Sequence, residues 1–396
     1  MSYKLIELND DLRSLRDLKF NVDIVGAFLI VRDIPYVNAE RQVHRDGILV
    51  TELTLSGDKT IAPERHQMRF IGECPCDSHG VALDAIRPSE QKHRINSEVT
   101  CDFEFSNKPR PEGYLDHAEK VRNYAALISG PASTIDPTAT PMTGNVVEPG
   151  DDESPFNYLD TNSAKAQISV ITEKLAADRI AIVGLGGTGS YVLDLIAKTP
   201  VKEIHLYDGD KFSSHNAFRA PGAASVEELR AQPLKVHYLR DIYARMHRGI
   251  QAHPDYVDES NVAELAAMSC VFLCMDAGPG KRLIVDALEQ TSVPFLDASM
   301  GLYEKKEKVG GILQVVTSGA QNRAQARGRM SLADADEPNE YDQNIQVADL
   351  NALNAQIAVM RWKKMCGFYH QFDRANFNSF TVGNSLFLNE DLYGED

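Results

Sequence analysis

The chain has 396 residues, of which 43% are hydrophobic and 25% charged, with a formal net charge of −16 at pH 7. This length favours two domains, and the acidic balance excludes a general nucleic-acid binder, because duplex binding depends on phosphate neutralisation by Lys and Arg. No apolar run approaches the ~20 residues of a membrane helix, and the acidic start MSYKLIELNDDLRSL has no signal-peptide core, so we expect a cytoplasmic protein without membrane contact.

The first 130 residues have the pattern of a small α+β domain with its own core. Leucines at helical spacing predict an amphipathic first helix: Leu5, Leu8, Leu12 and Leu15. Four β-rich runs predict strands, at 22–31, 47–55, 68–72 and 99–105. A helix is expected at 114–128. Residues 131–155 are rich in Pro, Ser, Thr and Gly and end in an acidic cluster, which is typical of a linker.

A strand, a glycine-rich turn and a helix then follow one another. Residues 180–183 are apolar and largely β-branched, like a strand buried on both faces, and GLGGTG comes directly after them. A helix is expected at 188–200, and a second strand at 203–207 delivers Asp208, where a nucleotide-binding Rossmann unit places its ribose-binding acid. Glycines let backbone N–H groups approach a phosphate at the helix N-terminus. A nucleotide site is therefore predicted at Gly184, Gly186, Gly187 and Gly189, with a tight turn without ligand as the alternative.

Strands and helices alternate through the rest of the chain. Strands are predicted at 269–275, 293–298, 311–317 and 378–388, and helices at 158–177, 280–289 and 347–360, with a further helical region at 226–247 that is broken near Pro233. The strand at 311–317 is expected to pair antiparallel at the edge of the sheet, and 318–344 to form a surface loop. The expected fold class is α/β: a Rossmann-like domain with a mixed sheet over 156–396, preceded by the smaller α+β domain over 1–130.

The residues after the second strand are more specific than the glycines. Asp208-Gly209-Asp210 is followed by Asn216 and Arg219 in the stretch DGDKFSSHNAFR. This stretch resembles the D-x-D-x-x-x-x-x-N-x-x-R signature of the ubiquitin-activating-like adenylyltransferases, the ThiF/MoeB/HesA superfamily, and GLGGTG matches their glycine loop. The resemblance covers about 156–388, and a domain fused ahead of such a fold resembles the arrangement in bacterial ubiquitin-like conjugation operons.

The resemblance implies a reaction and its partners. The C-terminal carboxylate of a ubiquitin-like or sulfur-carrier protein would attack the α-phosphate of ATP, giving an acyl-adenylate and pyrophosphate, with Mg²⁺ as cofactor and a homodimer as the assembly. Such a reaction asks the protein for positioning and electrostatic stabilisation. The N-terminal domain is interpreted as a recruitment module for the carrier or for a conjugating enzyme.

The resemblance also implies a role for each matching residue. Asp208 would bind the ribose hydroxyls, and Asp210 would support the metal or the adenylate oxygens. Three residues would grip the phosphates: Asn216, Arg219 and Lys235. Asp276 would hold Mg²⁺, a hard cation that prefers carboxylate and phosphate oxygen. The predicted catalytic residues are Arg219, Lys235 and Asp276.

Several departures from the family keep other readings open. The arginine that usually precedes the first strand is missing from 157–165, where Lys165 is either its substitute or a solvated lysine, and Ala277 stands where the family has Asn. Paired CxxC motifs are missing, so no structural zinc is expected in this domain. The alternatives are a nicotinamide- or flavin-dependent oxidoreductase on the same fold, or a non-catalytic subunit that pairs with an active one.

The six cysteines do not indicate a disulfide framework in a chain this long, so reduced thiols are expected. Three lie in or beside apolar elements and are interpreted as inert core thiols: Cys270, Cys274 and Cys366. Three others belong to the N-terminal domain: Cys74, Cys76 and Cys101. For these, a thioester role, metal binding together with His66 or His79, and an ordinary structural role remain open.

Overall fold

The computed structural model describes residues 2–83, 86, 92–94, 100–144, 154–158, 160, 162–163, 168–332, 345–371 and 375–392. The chain divides into two compact units, Met1–Glu148 with Leu159–Ser169, and Pro149–Tyr158 with Val170–Asp396. The domain boundaries expected from composition stay a prediction. None of the described helices has the length and apolar character needed to cross a membrane.

The first unit is an antiparallel sheet packed against helices, as the α+β pattern predicted. Its helices are α1 (Ser2–Leu8), α2 (Asp10–Asp17) and α3 (His117–Ile135). Its strands are β1 (Asn21–Val25), β2 (Phe28–Val37), β3 (Val43–Glu52), β4 (Leu55–Ser56), β5 (Lys59–Thr60), β6 (Gln67–Ile71), β7 (His93–Arg94), β8 (Thr100–Cys101) and β9 (Phe103–Ser106). The main sheet has the order β1-β2-β3-β6-β9. Its core joins one face of this sheet to α3 through Val121, Tyr124 and Ile128, all fully buried.

Two expectations for this unit were wrong. The strand predicted at 22–31 is a hairpin: Val25 pairs with Phe28, and Gly26 has φ +60°, as a two-residue hairpin turn requires at its first position. The helix predicted at 114–128 continues to Ile135, through Pro131 and into the segment interpreted as linker. Burial of Ala132 against Val37 and Ala139 stabilises this last part, which composition alone did not indicate.

The second unit alternates strands and helices. Its helices are α4 (Ser169–Thr172), α5 (Gly187–Ile196), α6 (Ser214–Ala217), α7 (Val226–Ala231), α8 (Lys235–Tyr243), α9 (Pro279–Glu289), α10 (Arg323–Arg327) and α11 (Ala348–Met365), with 3₁₀ turns at Glu173–Leu175 and Val262–Ala267. Its strands are β10 (Arg179–Val183), β11 (Glu203–Tyr207), β12 (Ile250–His253), β13 (Cys270–Leu273), β14 (Phe295–Lys305), β15 (Lys308–Ser318), β16 (Ala375–Thr381) and β17 (Leu386–Leu392). The helix predicted at 158–177 lies partly outside the described residues.

These strands form one mixed sheet in the order β12-β11-β10-β13-β14-β15-β16-β17. The pairs from β12 to β14 are parallel and the remaining pairs antiparallel, which confirms the predicted Rossmann-like mixed sheet. Successive residues of β10 enter different cores: Ile182 lies on the side of α5 and α11, and Val183 lies on the side of α9. Both faces of β10 are therefore covered, which is why this strand is continuously apolar from Ile180 to Val183.

Two parts of this sheet differ from expectation. The strand predicted at 311–317 is not an edge strand, because β15 pairs with β14 on one side and β16 on the other, and β17 forms that edge. The opposite edge is β12, which was not predicted. β12 has only four residues, of which Ile250 alone is buried, and this run is too short to show a strand period.

Candidate nucleotide-binding site

The carboxyl ends of three neighbouring strands bring the predicted site residues together. Val183 pairs in register with Tyr207 on one side and with Leu273 on the other. The glycine loop begins directly after Val183, Asp208 directly follows Tyr207, and Asp276 lies three residues after Leu273. In open parallel sheets, ligands bind outside the carboxyl ends of the strands. The loop and both acids therefore lie at the edge where a nucleotide is expected.

The glycine loop is shaped by close contacts at three positions, two to the backbone and one to a side chain, and by open space at the fourth. Gly184 has φ +87°, and a Cβ there would lie 2.5 Å from the Cys274 carbonyl oxygen. A Cβ on Gly189 would lie 1.8 Å from the Gly184 carbonyl oxygen, and one on Gly187 would lie 2.2 Å from Asn351 Nδ2. A Cβ on Gly186 would meet nothing within 4 Å. Gly186 therefore faces open space at the start of α5, where a phosphate has room to approach the backbone.

Asp208 holds this loop in shape. Its side chain is 6% exposed, and its Oδ2 accepts a hydrogen bond from the Leu185 amide at 2.7 Å. Its Oδ1 accepts from the Asp210 amide at 2.8 Å. A carboxylate offers about four acceptor positions, so the two amide bonds and the Lys235 ammonium, 3.4 Å from Oδ2, still leave capacity for a ligand hydroxyl. The predicted ribose acid thus also ties the glycine loop to the turn that carries Asp210.

Lys235 is buried at 6% exposure beside two carboxylates. Its ammonium donates to Asp210 Oδ2 at 2.7 Å and lies 3.4 Å from Asp208 Oδ2. The Tyr256 hydroxyl donates to Asp210 Oδ1. Hydrogen bonds from Lys235 and Tyr256 hold the pKa of Asp210 below its usual value, and the bond to Asp210 raises the pKa of Tyr256 to about 12. Tyr256 was not predicted, because no motif in the loop after β12 marks it.

Asn216 and Arg219 each carry a buried donor that has no partner among the described residues. Asn216 is 2% exposed on the short helix α6, and its Oδ1 accepts from the Ser213 amide at 2.9 Å, while its Nδ2 is unpaired. Arg219 is half-buried, and its Nε is unpaired. Burial lowers the pKa of Arg219, against the opposing charges of Asp276 and Asp210. Unpaired buried donors are costly, so these two groups indicate an absent acceptor.

Asp276 is exposed at the end of β13, and its charge acts on Arg219. Within the part of the chain that the structure describes, no group of three or more His, Cys, Asp or Glu side chains could hold a metal ion. Mg²⁺ usually binds through one or two carboxylates together with substrate phosphates, and the exposed carboxylate of Asp276 fits that pattern.

A fully buried ion pair behind the site was not predicted. Lys281, in the first turn of α9, lies five residues after Asp276, and its ammonium is 2.6 Å from Asp297 Oδ1 on β14. The two side chains are 1% and 0% exposed. Burial raises the pKa of Asp297, with Lys281 opposing the shift. The one sequence signal was a lone Asp inside the apolar strand FLDAS, since a buried acid requires a cation.

Burial raises the pKa of five of the six cysteine thiols. Burial raises the pKa of Cys270 and Cys274, that of Cys366 to about 11 and that of Cys101 to about 11. Cys76 is 2% exposed and its pKa is also raised, mainly by burial. A thiol of raised pKa is a poor nucleophile, which disfavours a thioester at these positions. The structure gives no support to a metal at Cys74 and Cys76, and Lys165 lies outside the described residues.

Comparison with known proteins places two families on the chain. Residues 161–389 match the ThiF family, and residues 10–161 match DUF6791, a domain of unknown function. No curated protein matches the chain.

The chain is also similar to solved structures at low identity. A crystal structure of PaaA is 16% identical, with 57% of this chain and 76% of that chain covered and a TM-score of 0.41. The structure of E. coli MccB with ATP is 13% identical, with 59% of this chain and 70% of that chain covered and a TM-score of 0.44. The structure of E. coli MccB with MccA-N7isoASN is 12% identical, with 59% of this chain and 70% of that chain covered and a TM-score of 0.44.

Proposed function

The chain belongs to the ThiF family, a family of ATP-dependent adenylating enzymes, and we propose that it activates the C-terminal carboxylate of a ubiquitin-like or sulfur-carrier protein. The activated product is an acyl-adenylate, and pyrophosphate is released. The observation that carries the assignment is the pair of unpartnered donors, Asn216 Nδ2 and Arg219 Nε, on the loop that follows the ribose acid. Both point to an anionic ligand, as the phosphates of ATP would be.

The chain's own residues divide the work of binding. The amides around Gly186 and the N-terminus of α5 receive a phosphate in the space that the missing side chain leaves. Asp208 accepts from the ribose hydroxyls with the acceptor capacity left after its two amide bonds. Asn216 and Arg219 donate to phosphate oxygens. Lys235, whose ammonium forms an ion pair with Asp210, supplies a second cation beside the same phosphates.

In the reaction, a carboxylate oxygen of the carrier attacks the α-phosphorus, and the bond from that phosphorus to the bridging oxygen breaks. The electron pair leaves with pyrophosphate. The transition state differs from the ground state mainly in where negative charge lies, so fixed donors aimed at the phosphates lower the barrier. Arg219, with its planar set of donors, suits this role better than a lysine would.

The charge balance of the site supports a divalent cation. Two cations stand against three carboxylates: Arg219 and Lys235, against Asp208, Asp210 and Asp276. Before any nucleotide binds, the site residues therefore sum to −1, and a triphosphate makes the balance more negative. Mg²⁺ on Asp276 would neutralise charge on the phosphates. The homodimer and a recruitment role of the N-terminal domain remain part of the proposal.

The direct test is ATP–pyrophosphate exchange by the full chain with a ubiquitin-like protein encoded beside it. We expect exchange that requires both the partner and Mg²⁺, and at least a hundredfold loss in Arg219→Ala and Asp276→Ala. Arg240→Ala is the matched control, because Arg240 lies on α8 and pairs with the exposed Asp241. The proposal fails if no exchange occurs and ATP does not bind. ATP binding without exchange would instead assign a non-catalytic subunit, and binding of a nicotinamide or flavin cofactor in place of ATP would favour the oxidoreductase.

A further inference from the structure

The first unit contains a cavity that the proposed reaction does not use. It has a volume of about 300 Å³ and opens between β3, the loop before β6 and α3. Its walls carry charged side chains of both signs: Glu52, Glu64, Arg65, Arg69, Glu104 and Lys120. Small-molecule sites span roughly 300–1,000 Å³, so this volume fits a compact ligand.

Lys120 lines this cavity and is 1% exposed. Its ammonium donates to Thr51 Oγ1 at 2.6 Å and to the Arg65 carbonyl oxygen at 2.9 Å. An ammonium has three N–H donors, so these two neutral acceptors leave one donor over. Among the described residues, no carboxylate lies within 4.0 Å of Lys120. A buried cation whose direct hydrogen-bond partners are all neutral is unfavourable, and the charges of Glu52 and Glu104 act on Lys120 only from beyond ion-pair distance.

Two of the three carboxylates of the cavity wall, Glu52 and Glu104, are paired with arginines. Arg69 Nε donates to Glu104 Oε2 at 3.2 Å, and its terminal nitrogen lies 3.5 Å from Glu52 Oε1. Arg65 lies 3.6 Å from the same Glu52 oxygen. These pairs satisfy the arginines, whereas the deepest cation, Lys120, has none. The third N–H of the Lys120 ammonium is therefore the donor left open in the cavity for an acceptor on a ligand.

We propose that this cavity binds a small ligand through a carboxylate group, which accepts the third N–H of Lys120. A carboxylate brings one negative charge to the Lys120 ammonium, whose two acceptors within the protein are both neutral. A phosphate would bring a second charge into a wall that already holds three glutamates: Glu52, Glu64 and Glu104. The Thr51 and Arg65 acceptors fix the ammonium in place, so the ligand meets a rigid donor.

Protonation of Lys120 supports a pH test of this site. Burial lowers the pKa of Lys120 to about 8, with Glu52 and Glu104 opposing the shift and Arg69 adding to it. Arg65, Glu64 and His66 also face the cavity. A carboxylate ligand stays charged above pH 6, so its affinity should fall as the lysine loses its proton, by up to tenfold per pH unit above about 8.

The experiment is calorimetric titration of the full chain with benzoate, and with benzamide as the uncharged analogue. We expect benzoate to bind and benzamide to bind at least tenfold more weakly. Lys120→Met should weaken benzoate binding at least tenfold, and Lys108→Met, at an exposed lysine of the same unit, should leave it unchanged. If Lys120→Met does not fold, the pH profile of the unsubstituted chain decides.

Four outcomes would overturn the proposal. They are no benzoate binding, equal binding of benzamide, unchanged affinity in a folded Lys120→Met protein, and affinity that does not fall above pH 8. Tighter binding of inorganic phosphate than of benzoate would overturn the carboxylate assignment as well, since it would show a site for a doubly charged anion.

Discussion

Replacing Lys281 by Met tests the buried ion pair behind the nucleotide site. At an effective dielectric constant near 20, two unit charges 2.6 Å apart attract by about 6 kcal/mol, most of which offsets the cost of removing both from water. Lys281→Met removes the attraction and leaves Asp297, at 0% exposure, without its cation. We therefore expect the second unit to lose about 3–5 kcal/mol of unfolding free energy.

The single tryptophan makes this loss measurable in the full chain. Trp362 is 2% exposed on α11 and packs edge-on against Phe272 of β13, so its fluorescence reports unfolding of the second unit alone. Urea titration followed by Trp362 fluorescence gives the unfolding free energy of the original chain, of Lys281→Met and of the double variant Lys281→Met/Asp297→Leu. The double variant should recover most of the loss, because an apolar pair of similar volume carries no desolvation cost.

A surface pair of nearly the same length is the control. Lys198 lies 2.7 Å from Asp194, with side-chain exposures of 50% and 22%, and Lys198→Met should cost less than about 1 kcal/mol. Equal costs for Lys198→Met and Lys281→Met, or a double variant no more stable than the single one, would refute the reasoning.

The pH dependence of Lys281→Met has a definite sign. Burial raises the pKa of Asp297 above its unfolded value, so its charged form destabilises the folded state. Without Lys281, this destabilisation is fully present above the folded pKa and is relieved as pH falls toward the unfolded value near 4. The gap in stability between the variant and the original chain should therefore narrow on acidification.

Three further predictions concern the loop, the tyrosine and the thiols. Gly186→Ala should leave the urea transition of Trp362 fluorescence unchanged and weaken ATP binding at least tenfold in equilibrium dialysis. A Cβ on Gly189 would lie 1.8 Å from a carbonyl oxygen, so Gly189→Ala should weaken ATP binding and also lower the urea midpoint. Tyr256→Phe removes one hydrogen bond to Asp210 and should reduce exchange by less than about tenfold, a net cost of about 0.5–1.5 kcal/mol, measured at saturating ATP. At pH 8, a thiol reagent should label three cysteines only after denaturation: Cys76, Cys101 and Cys270.

The strands around the nucleotide site could be predicted because their signals are local. The strand at 203–207 has the bounds predicted for it, and the glycine turn lies between a strand and a helix as expected. The roles assigned to Asp208, Asn216 and Arg219 stay predictions, although the charges of Asp276 and Asp210 act on Arg219 in the structure. These residues could be predicted together because they are close in sequence: Asn216 lies on α6, and Arg219 follows two residues after the end of that helix.

What the sequence left open depends on contacts between distant residues. Tyr256 reaches Asp210 across 46 positions, and Lys281 meets Asp297 through the packing of α9 on β14. Composition suggested a linker after residue 130, but burial of Ala132 extends α3 there. The edge of the sheet was misplaced because the β16–β17 hairpin adds two strands whose pairing no local pattern specifies.

Asp208 has a consequence for how the two halves of a nucleotide are recognised. The same carboxylate that would meet the sugar also accepts the Leu185 amide of the phosphate loop. If Asp208 binds the ribose as proposed, we therefore expect occupancy of one half to change the geometry offered to the other, so that the two halves do not bind independently. Adenosine and triphosphate presented separately should then bind with coupled affinities, so that the intact nucleotide is favoured over the simple combination of its fragments.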